Sequence, residues 1–312
     1  MNHFIKNILL FFLCIIFINY IVYIFIAKPV LYDDYYPSIT ELNKYKCFLL
    51  SDSHGESVEK KDLSEVGVYN FAFDSDSYID MMLKLNFLNN NAAPETIFLS
   101  VDDHTLSPYR ENMNNRSRSI HFCDRYLYKQ FYGQEYLSYI FEKYCYPYLP
   151  LLNTNNSKLF YSFLTSFFKV KKLDEDSTSQ FADLSYEQKI KSCKDRMQYQ
   201  FPQDNKDKNL KCFNESLLQI ISFCKNNNIT LIGVKFPLAK NYIEVLGDKS
   251  YHADIFAKKQ GVKIIDLKNI FISRDPLFTN PDHLNKMGSK EFVFQLAKKC
   301  NADNISCIVR NP

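Results

Sequence analysis

The feature that most constrains this chain is an uncharged apolar run near its N-terminus. Residues 8–27 read ILLFFLCIIFINYIVYIFIA, in which Asn19 is the strongly polar residue. A helix needs about 20 apolar residues to cross the hydrocarbon of a bilayer. The run is longer than the apolar region of a cleaved signal peptide, and Lys28-Pro29 follows it in place of a small-residue cleavage site. We therefore predict an uncleaved membrane anchor over residues 1–28.

The few charges beside the run predict its orientation. Lys6 and the terminal amine precede it and Lys28 follows it, and basic residues next to a membrane helix favour the cytoplasmic side. We expect the N-terminus in the cytoplasm, a stalk over residues 29–45 and one extracytoplasmic domain over residues 46–312. That domain would be periplasmic or on the cell surface.

Composition and cysteine spacing exclude some partners. A formal net charge of +3 is too close to neutrality to indicate a nucleic-acid partner. The cysteines outside the apolar run form no CxxC pair, so the sequence predicts no zinc site. Cys300 and Cys307 are close enough in sequence for a local disulfide, and buried free thiols are the equal alternative.

Apolar runs of strand length alternate with helical patterns along the rest of the chain. The predicted strands are residues 47–50, 68–73, 96–101, 230–236 and 262–267. This alternation predicts an α/β fold, a three-layer flavodoxin-like sandwich with a central parallel sheet of about five strands. Residues 107–208 interrupt it as a helical insertion. The Tyr-rich part at 125–148 could be a sugar-stacking lid or an apolar helix face packed on the domain.

Chemically rich loops follow the predicted strands, at the edge where parallel sheets place their sites. Nucleophilic acyl transfer needs a hydroxyl and a base, and imidazole titrates near neutral pH. Ser53 and His283 are the candidates for these two groups. The side chains of the four loops are Asp52, Ser53 and His54; Asp74 and Ser75; Asp102, Asp103 and His104; and Asn280, Asp282 and His283.

Two of these loops resemble the sequence blocks of a known family. Ser51-Asp52-Ser53-His54 resembles the first block of the SGNH (GDSL-like) hydrolases, usually Gly-Asp-Ser. Asn280-Pro281-Asp282-His283 resembles their last block, usually Asp-x-x-His. The resemblance covers residues 46–105 and 210–300 and is closest to membrane-anchored polysaccharide O-acetyltransferase-like proteins. It implies Ser53 as nucleophile, the Ser53 backbone N–H as an oxyanion donor and His283 as general base, with no metal or cofactor.

The sequence leaves open which groups support this pair. Asn280 stands where the family has an aspartate, and Asp282 is the substitute carboxylate. Asp102 stands where the family has an Asn donor, so either His104 supplies the donor, or Asp102 or Asp103 orients a histidine. The residues predicted to bind substrate are Asp52, His54, Asp74, Ser75, Asp102, Asp103 and His104. Arg110, Arg116 and Arg118 would bind an anionic sugar or form a solvated face.

The resemblance implies serine-dependent O-acetylation of a cell-envelope or surface polysaccharide. The partners would be a glycan substrate and an acyl donor, such as a membrane acyl-carrier protein. Two alternatives remain: an esterase of the same fold, and a catalytically impaired protein that binds glycan or assists polysaccharide assembly.

Overall fold

The computed structural model describes residues 2–133, 135–152, 181–202, 210–303 and 305. The chain divides into two compact units, one of residues 1–38 with 116–174 and one of residues 39–115 with 175–312. The limits that the sequence predicts for the membrane anchor (1–28), the stalk (29–45) and the insertion (107–208) stay predictions. Cys300 is buried and Cys307 lies outside the described residues, so their proposed pairing also stays a prediction.

The α-helices of the described chain are numbered from the N-terminus onward. They are α1 (Asn2–Val22), α2 (Ile39–Leu42), α3 (Ser53–Glu56), α4 (Lys60–Glu65), α5 (Tyr78–Asn91), α6 (Arg116–Ser119), α7 (Arg125–Tyr132), α8 (Tyr136–Ile140), α9 (Tyr186–Gln200), α10 (Leu210–Asn226), α11 (Lys240–Leu246), α12 (Ala253–Lys259) and α13 (Lys286–Ala302).

A five-stranded parallel sheet forms the centre of the larger unit. Its strands are β1 (Cys47–Leu50), β2 (Val68–Asn70), β3 (Thr96–Ser100), β4 (Thr230–Lys235) and β5 (Lys263–Asp266). They lie in the order β2-β1-β3-β4-β5, which is the strand order of flavodoxin-like doubly wound sheets. Because helices flank the sheet, β1 and β3 are buried along their whole length. The predicted α/β class, with its central five-stranded parallel sheet, is confirmed.

The start of α5 differs from the prediction and frees two site residues. The helical spacing of the apolar residues in 75–88 predicts a helix that starts at residue 75, with Asp74 or Ser75 as its cap. Instead Ser77 is the N-cap, and Ser77 and Asp80 satisfy each other's backbone N–H groups in a capping box. Asp74 and Ser75 therefore stay in the loop after β2. Ser75 adopts a left-handed backbone conformation there, with φ of 66°.

A small antiparallel hairpin carries the last site residues and was not predicted. Its strands, β6 (Phe278–Asn280) and β7 (His283–Leu284), pair Asn280 with His283. The hairpin is fixed to the start of α13, because Asn285 caps that helix through the N–H groups of Met287 and Gly288. A Cβ at Gly288 would overlap the carbonyl oxygen of Leu277, so the close packing of helix on hairpin requires glycine.

The smaller unit contains α1 and the helices α6 to α8. After Val22 the helix continues to Tyr32 with π-helical geometry. Residues 3–29 are long enough and apolar enough to cross a membrane, with a mean hydropathy of 2.8 over the most apolar window, and 11% of that window is buried. This confirms the apolar helix and leaves its orientation a prediction.

Candidate active site

The site lies at the carboxyl edge of the sheet, where the loops after β1, β2 and β3 meet. Ser53 is the first residue of α3, and Asp52 caps that helix by accepting the His54 N–H at 3.0 Å. A Cβ at Gly55 would overlap the Ser51 side chain, so this tight turn depends on glycine. An open cleft of about 510 Å³ lies above, lined by Ser53, Asp74, Ser75, Tyr109, Arg110, Met113, Ser192, Asp195, Arg196, Tyr199, Asn280, Pro281 and Asp282.

Ser53 is half-buried in the cleft wall. Within the described ranges its hydroxyl makes no hydrogen bond, so the oxygen is available to a ligand in the cleft. The turn that carries it packs against β7, and the ring of the neighbouring His54 lies 5.3 Å from the ring of His283, centroid to centroid. The fold thus brings together the serine and the histidine predicted from distant parts of the sequence.

His283 is held at its Nδ1 atom by two oxygens. Nδ1 lies 2.8 Å from Asn280 Oδ1 and 2.9 Å from Asp282 Oδ1. Because both partners are oxygens, we assign the proton to Nδ1, which leaves the Nε2 lone pair free to accept a proton. Burial lowers the pKa of His283 from its ordinary value, and the charges of His54 and Arg196 add to this against the pull of Asp282. His283 is therefore a neutral base at neutral pH.

Asp282 is fully buried and accepts hydrogen bonds from three further side chains. Its Oδ2 atom lies 2.7 Å from Arg196 Nε, 2.8 Å from Gln200 Nε2 and 3.2 Å from His54 Nε2. Burial alone would raise the pKa of Asp282, but the contacts with His283, His54 and Arg196 hold it well below its ordinary value. Asp282 is thus an ionised carboxylate that fixes the orientation of His283.

His54 bridges two buried carboxylates. Its Nδ1 lies 2.9 Å from Asp102 Oδ2, and its Nε2 lies on Asp282. Burial lowers the pKa of His54, but the attraction and hydrogen bonds of Asp102 and Asp282 outweigh it and raise the pKa to about 9. His54 is therefore an imidazolium at neutral pH. Asp102 also accepts the Phe236 N–H at 2.7 Å, which ties the bridge to β4.

His104 lies beside this imidazolium in the opposite charge state. Its ring centroid is 4.6 Å from that of His54. Burial and the His54 charge lower the pKa of His104 to about 3, so it is neutral. Its Nε2 lies 3.0 Å from Asp52 Oδ2 and 3.1 Å from Arg110 Nη2, and the buried guanidinium of Arg110 pairs with the same carboxylate oxygen.

The residues predicted to bind substrate divide into two groups. Asp74 and Ser75 line the cleft. The other five are at most 6% exposed and lie beneath it: Asp52, His54, Asp102, Asp103 and His104. Asp102 orients a histidine, but the histidine is His54 and not His283. Asp103 forms ion pairs with Lys235 at 2.8 Å and Lys268 at 2.7 Å and orients neither His54 nor His283. These five side chains support the cleft from beneath, and their predicted contact with substrate stays a prediction.

Arg110 and Asn70 hold the turn around Ser53 from inside the protein. Arg110 was expected to bind an anionic sugar or to be solvated, and it is 3% exposed and paired with Asp52. The side-chain amide of Asn70, at the end of β2, donates to the backbone carbonyl oxygens of Gly55 and Val58 at 2.8 and 2.7 Å. It therefore holds the turn after Ser53 in place.

Sequence reasoning missed the contribution of α9. Arg196 and Gln200 reach Asp282 from this helix, and Tyr199 lines the cleft. The helix lies inside the predicted insertion at 107–208. The available signal was weak: an arginine and a glutamine four residues apart, which places them on one helix face.

Two groups of three side chains have ligand-type atoms within 4.8 Å of one another. They are Asp52, His54 and His104, and His54, Asp282 and His283. Both nitrogens of His54 already contact carboxylates, and the guanidinium groups of Arg110 and Arg196 lie on Asp52 and Asp282. A metal ion would have to displace these cations, so the donor set does not favour one.

Comparison with known proteins gives little further direction. No protein-family model matches the chain, and no curated protein matches it. Among solved structures, the chain is similar to a protein from Bacteroides fragilis NCTC 9343 described as a candidate acylhydrolase. The identity is 10% and the TM-score 0.38, over 85% of this chain and 93% of the other. Likeness at this level carries no argument about function, so the function has to be argued from the site.

Proposed function

We propose that the chain is a serine-dependent acyl-transfer enzyme, with Ser53 as nucleophile and His283 as general base. The observation that carries the proposal is that two oxygens, Asn280 Oδ1 and Asp282 Oδ1, contact His283 Nδ1. We therefore assign the proton to Nδ1 and the accepting lone pair to Nε2, next to the turn whose serine lines an open cleft. This is the nucleophile, base and orienting-group logic of hydrolytic triads.

The proposed reaction has two balanced halves. His283 Nε2 takes the Ser53 Oγ proton as that oxygen bonds to the acyl carbonyl carbon, and then gives the proton to the departing alkoxide oxygen. Water or a sugar hydroxyl then attacks the acyl-serine, losing its proton to His283, which returns it to Ser53. Ser53 N–H, in the first turn of α3, is the proposed donor to the oxyanion.

Asp282 takes the place of the aspartate that the resembled family has at position 280. Its ionised Oδ1 stabilises the imidazolium that His283 becomes during proton transfer. The cations His54 and Arg196 keep Asp282 ionised and immobile inside the protein. This contact supports an active enzyme over the catalytically impaired alternative.

A glycan is the substrate class we propose, as the acyl acceptor of a transferase or, for the esterase alternative, as the ester that is cleaved. The rings of Tyr109 and Tyr199 lie 5.2 Å apart at the cleft, and Tyr199 is 45% exposed. Tyrosine faces of this kind pack against the C–H surfaces of sugars. With an extracytoplasmic domain, the proposed activity is O-acetylation of a cell-envelope or surface polysaccharide. The acyl group would come from a membrane acyl-carrier partner. Esterase action is the second candidate, because only the acceptor differs.

The test uses the full-length protein in detergent. We expect a fluorophosphonate probe to label the protein, and Ser53→Ala to abolish both labelling and hydrolysis of p-nitrophenyl acetate. Ser64→Ala removes a serine hydroxyl that binds the Lys61 carbonyl on α4 and serves as the matched control. Labelling that survives Ser53→Ala would contradict the proposal. Transfer to an added sugar acceptor in place of water separates transferase from esterase.

A further inference from the structure

The smaller unit exposes large apolar side chains outside α1. Seven of them, between 47% and 76% exposed, are Tyr126, Tyr136, Leu137, Phe141, Tyr144, Tyr148 and Leu151. We call residues 126–151 the aromatic segment. Water-facing surfaces rarely carry so many large apolar groups in so short a stretch. Leu127, Tyr128 and Tyr139 of the same stretch are buried, as a packed helix face requires. The predicted sugar lid stays a prediction.

The aromatic segment is attached to the apolar helix. Leu151 N–H donates to Asn19 Oδ1 at 3.0 Å, and the Tyr148 and Tyr23 ring centroids lie 4.9 Å apart. Asn19 is 1% exposed, and its amide nitrogen donates to the Ile15 carbonyl at 2.9 Å. The strongly polar side chain of the apolar run is thus satisfied partly by this segment, as a polar group inside a bilayer must be.

The position of these contacts along α1 sets a depth. At a rise of about 1.5 Å per residue, Asn19 and Tyr23 lie about 12 and 6 Å before Ala27, where the uncharged run ends. A segment packed at that level cannot stay clear of a bilayer that the helix crosses. Interfacial elements bury their apolar faces about 5–10 Å into the boundary between headgroups and acyl chains, and tyrosine is enriched at that depth.

We propose that the aromatic segment is a membrane-docking surface, seated in the bilayer interface at the C-terminal end of the apolar helix. Its partner is the lipid bilayer itself. Within the segment, Lys129 and Lys143 balance Glu135 and Glu142, and residues 116–125 just before it contain three Arg against one Asp, an excess of two positive charges. That excess beside the segment suits headgroup phosphates. The surface includes no residue of the proposed active site, so it stands apart from the proposed function.

The absence of tryptophan from the chain makes a direct test possible. Each single Trp substitution gives the full-length protein one fluorophore, which can be read in vesicles of ordinary or brominated phosphatidylcholine. Leu137→Trp and Tyr144→Trp probe the aromatic segment. Tyr186→Trp, at a 63% exposed position of the larger unit, is the matched control. Phe17→Trp, 63% exposed on α1, reports the bilayer core.

We expect bromine near the interface to quench Leu137→Trp and Tyr144→Trp roughly two-fold, with blue-shifted emission, because their indoles sit among acyl chains. Bromine deep in the acyl chains should quench Phe17→Trp, and neither lipid should affect Tyr186→Trp. If Leu137→Trp and Tyr144→Trp respond only to aqueous iodide, as Tyr186→Trp should, the docking surface does not exist. An unquenched Phe17→Trp would overturn it as well, by removing the membrane helix.

Discussion

His283, next to the cleft, and His54, buried beneath it, are histidines in opposite charge states. His283 shares Asp282 with the neutral amide of Asn280, and two cations lie near it. Beneath the cleft, His54 has a carboxylate on each ring nitrogen. The pKa of His283 is therefore lowered and that of His54 raised to about 9, although the rings lie 5.3 Å apart.

The difference shows how one buried carboxylate serves two histidines. Asp282 contacts His54, which is charged at neutral pH, through Oδ2 and the neutral His283 through Oδ1. Groups whose environments push their pKa values apart take different roles in acid–base chemistry. A His54 that is already protonated cannot accept the serine proton at neutral pH, whereas His283 can. The comparison predicts a graded series of effects.

The largest effect is expected from His283→Gln. Removing the base should lower kcat by about 10³–10⁴-fold, because the serine proton has no acceptor, with little change in KM. Hydrolysis of p-nitrophenyl acetate and the rate of fluorophosphonate labelling measure this. His252→Asn, at an exposed histidine, is the control. If the His283→Gln protein keeps its activity, His283 is not the base, and its difference from His54 has no catalytic meaning.

Asp282→Asn should have the next largest effect. The amide can keep the orientation of His283 but cannot stabilise its imidazolium form, so kcat should fall about 10²–10³-fold. Loss of the buried charge also leaves His54 and Arg196 without their common partner, which should reduce stability by about 3–5 kcal/mol. Steady-state kinetics and thermal unfolding measure the two effects. A raised KM with unchanged kcat would instead indicate that Asp282 only binds substrate.

His54→Gln should change stability more than rate. The pKa of His54 is raised from an ordinary 6.5 to about 9 in the folded protein, so its stabilising contribution is complete below pH 6.5. It is lost as pH rises through 9. A shift of this size corresponds to about 3 kcal/mol. The unfolding temperature of the wild-type protein should therefore decrease as the pH is raised from 6.5 to 9. The unfolding temperature of the variant should not show this decrease. A parallel decrease in both proteins would remove the imidazolium from the explanation.

The same variant should lower kcat by about 10-fold, because His54 acts on His283 through the position of Asp282.

His104 should affect how stability depends on pH on the acid side. Its pKa is lowered to about 3, so stability should decline as pH falls below 6.5, where the unfolded histidine binds a proton first. Together the two histidines place the greatest stability near pH 6.5.

Much of the fold could be predicted from the sequence because its signals are local. Residues 47–50 and 96–101 are apolar runs bounded by polar loops, which is the pattern of strands covered on both faces. Their alternation with helices fixes a parallel sheet, and a parallel sheet brings all its strand ends to one edge. This is why residues as distant in sequence as Ser53 and His283 could be placed at one site.

The support of the site could not be predicted, because tertiary packing decides it. Nothing local marks His54 as buried, since the same residue at a loop tip would face water. Asp282 and His283 are adjacent, and adjacent side chains of an extended chain point to opposite faces. The irregular hairpin of β6 and β7 nevertheless brings Asp282 Oδ1 within 2.9 Å of His283 Nδ1. Arg196 comes from a polar helix whose packing partner no sequence pattern identifies.

The smallest effect is expected from Asn280→Asp, and it tests whether Asp282 already supplies the needed charge. A second carboxylate 2.8 Å from His283 Nδ1 would raise the pKa of His283 and move the acid limb of the kcat/KM profile to higher pH. At pH 8, where His283 is neutral in both proteins, the rate should change by no more than about three-fold, because one ionised partner already stabilises the imidazolium. A rise in that rate of a hundred-fold or more would mean that the charge of Asp282 is neutralised by His54 and Arg196. His283 would then lack the carboxylate partner that we assign to it.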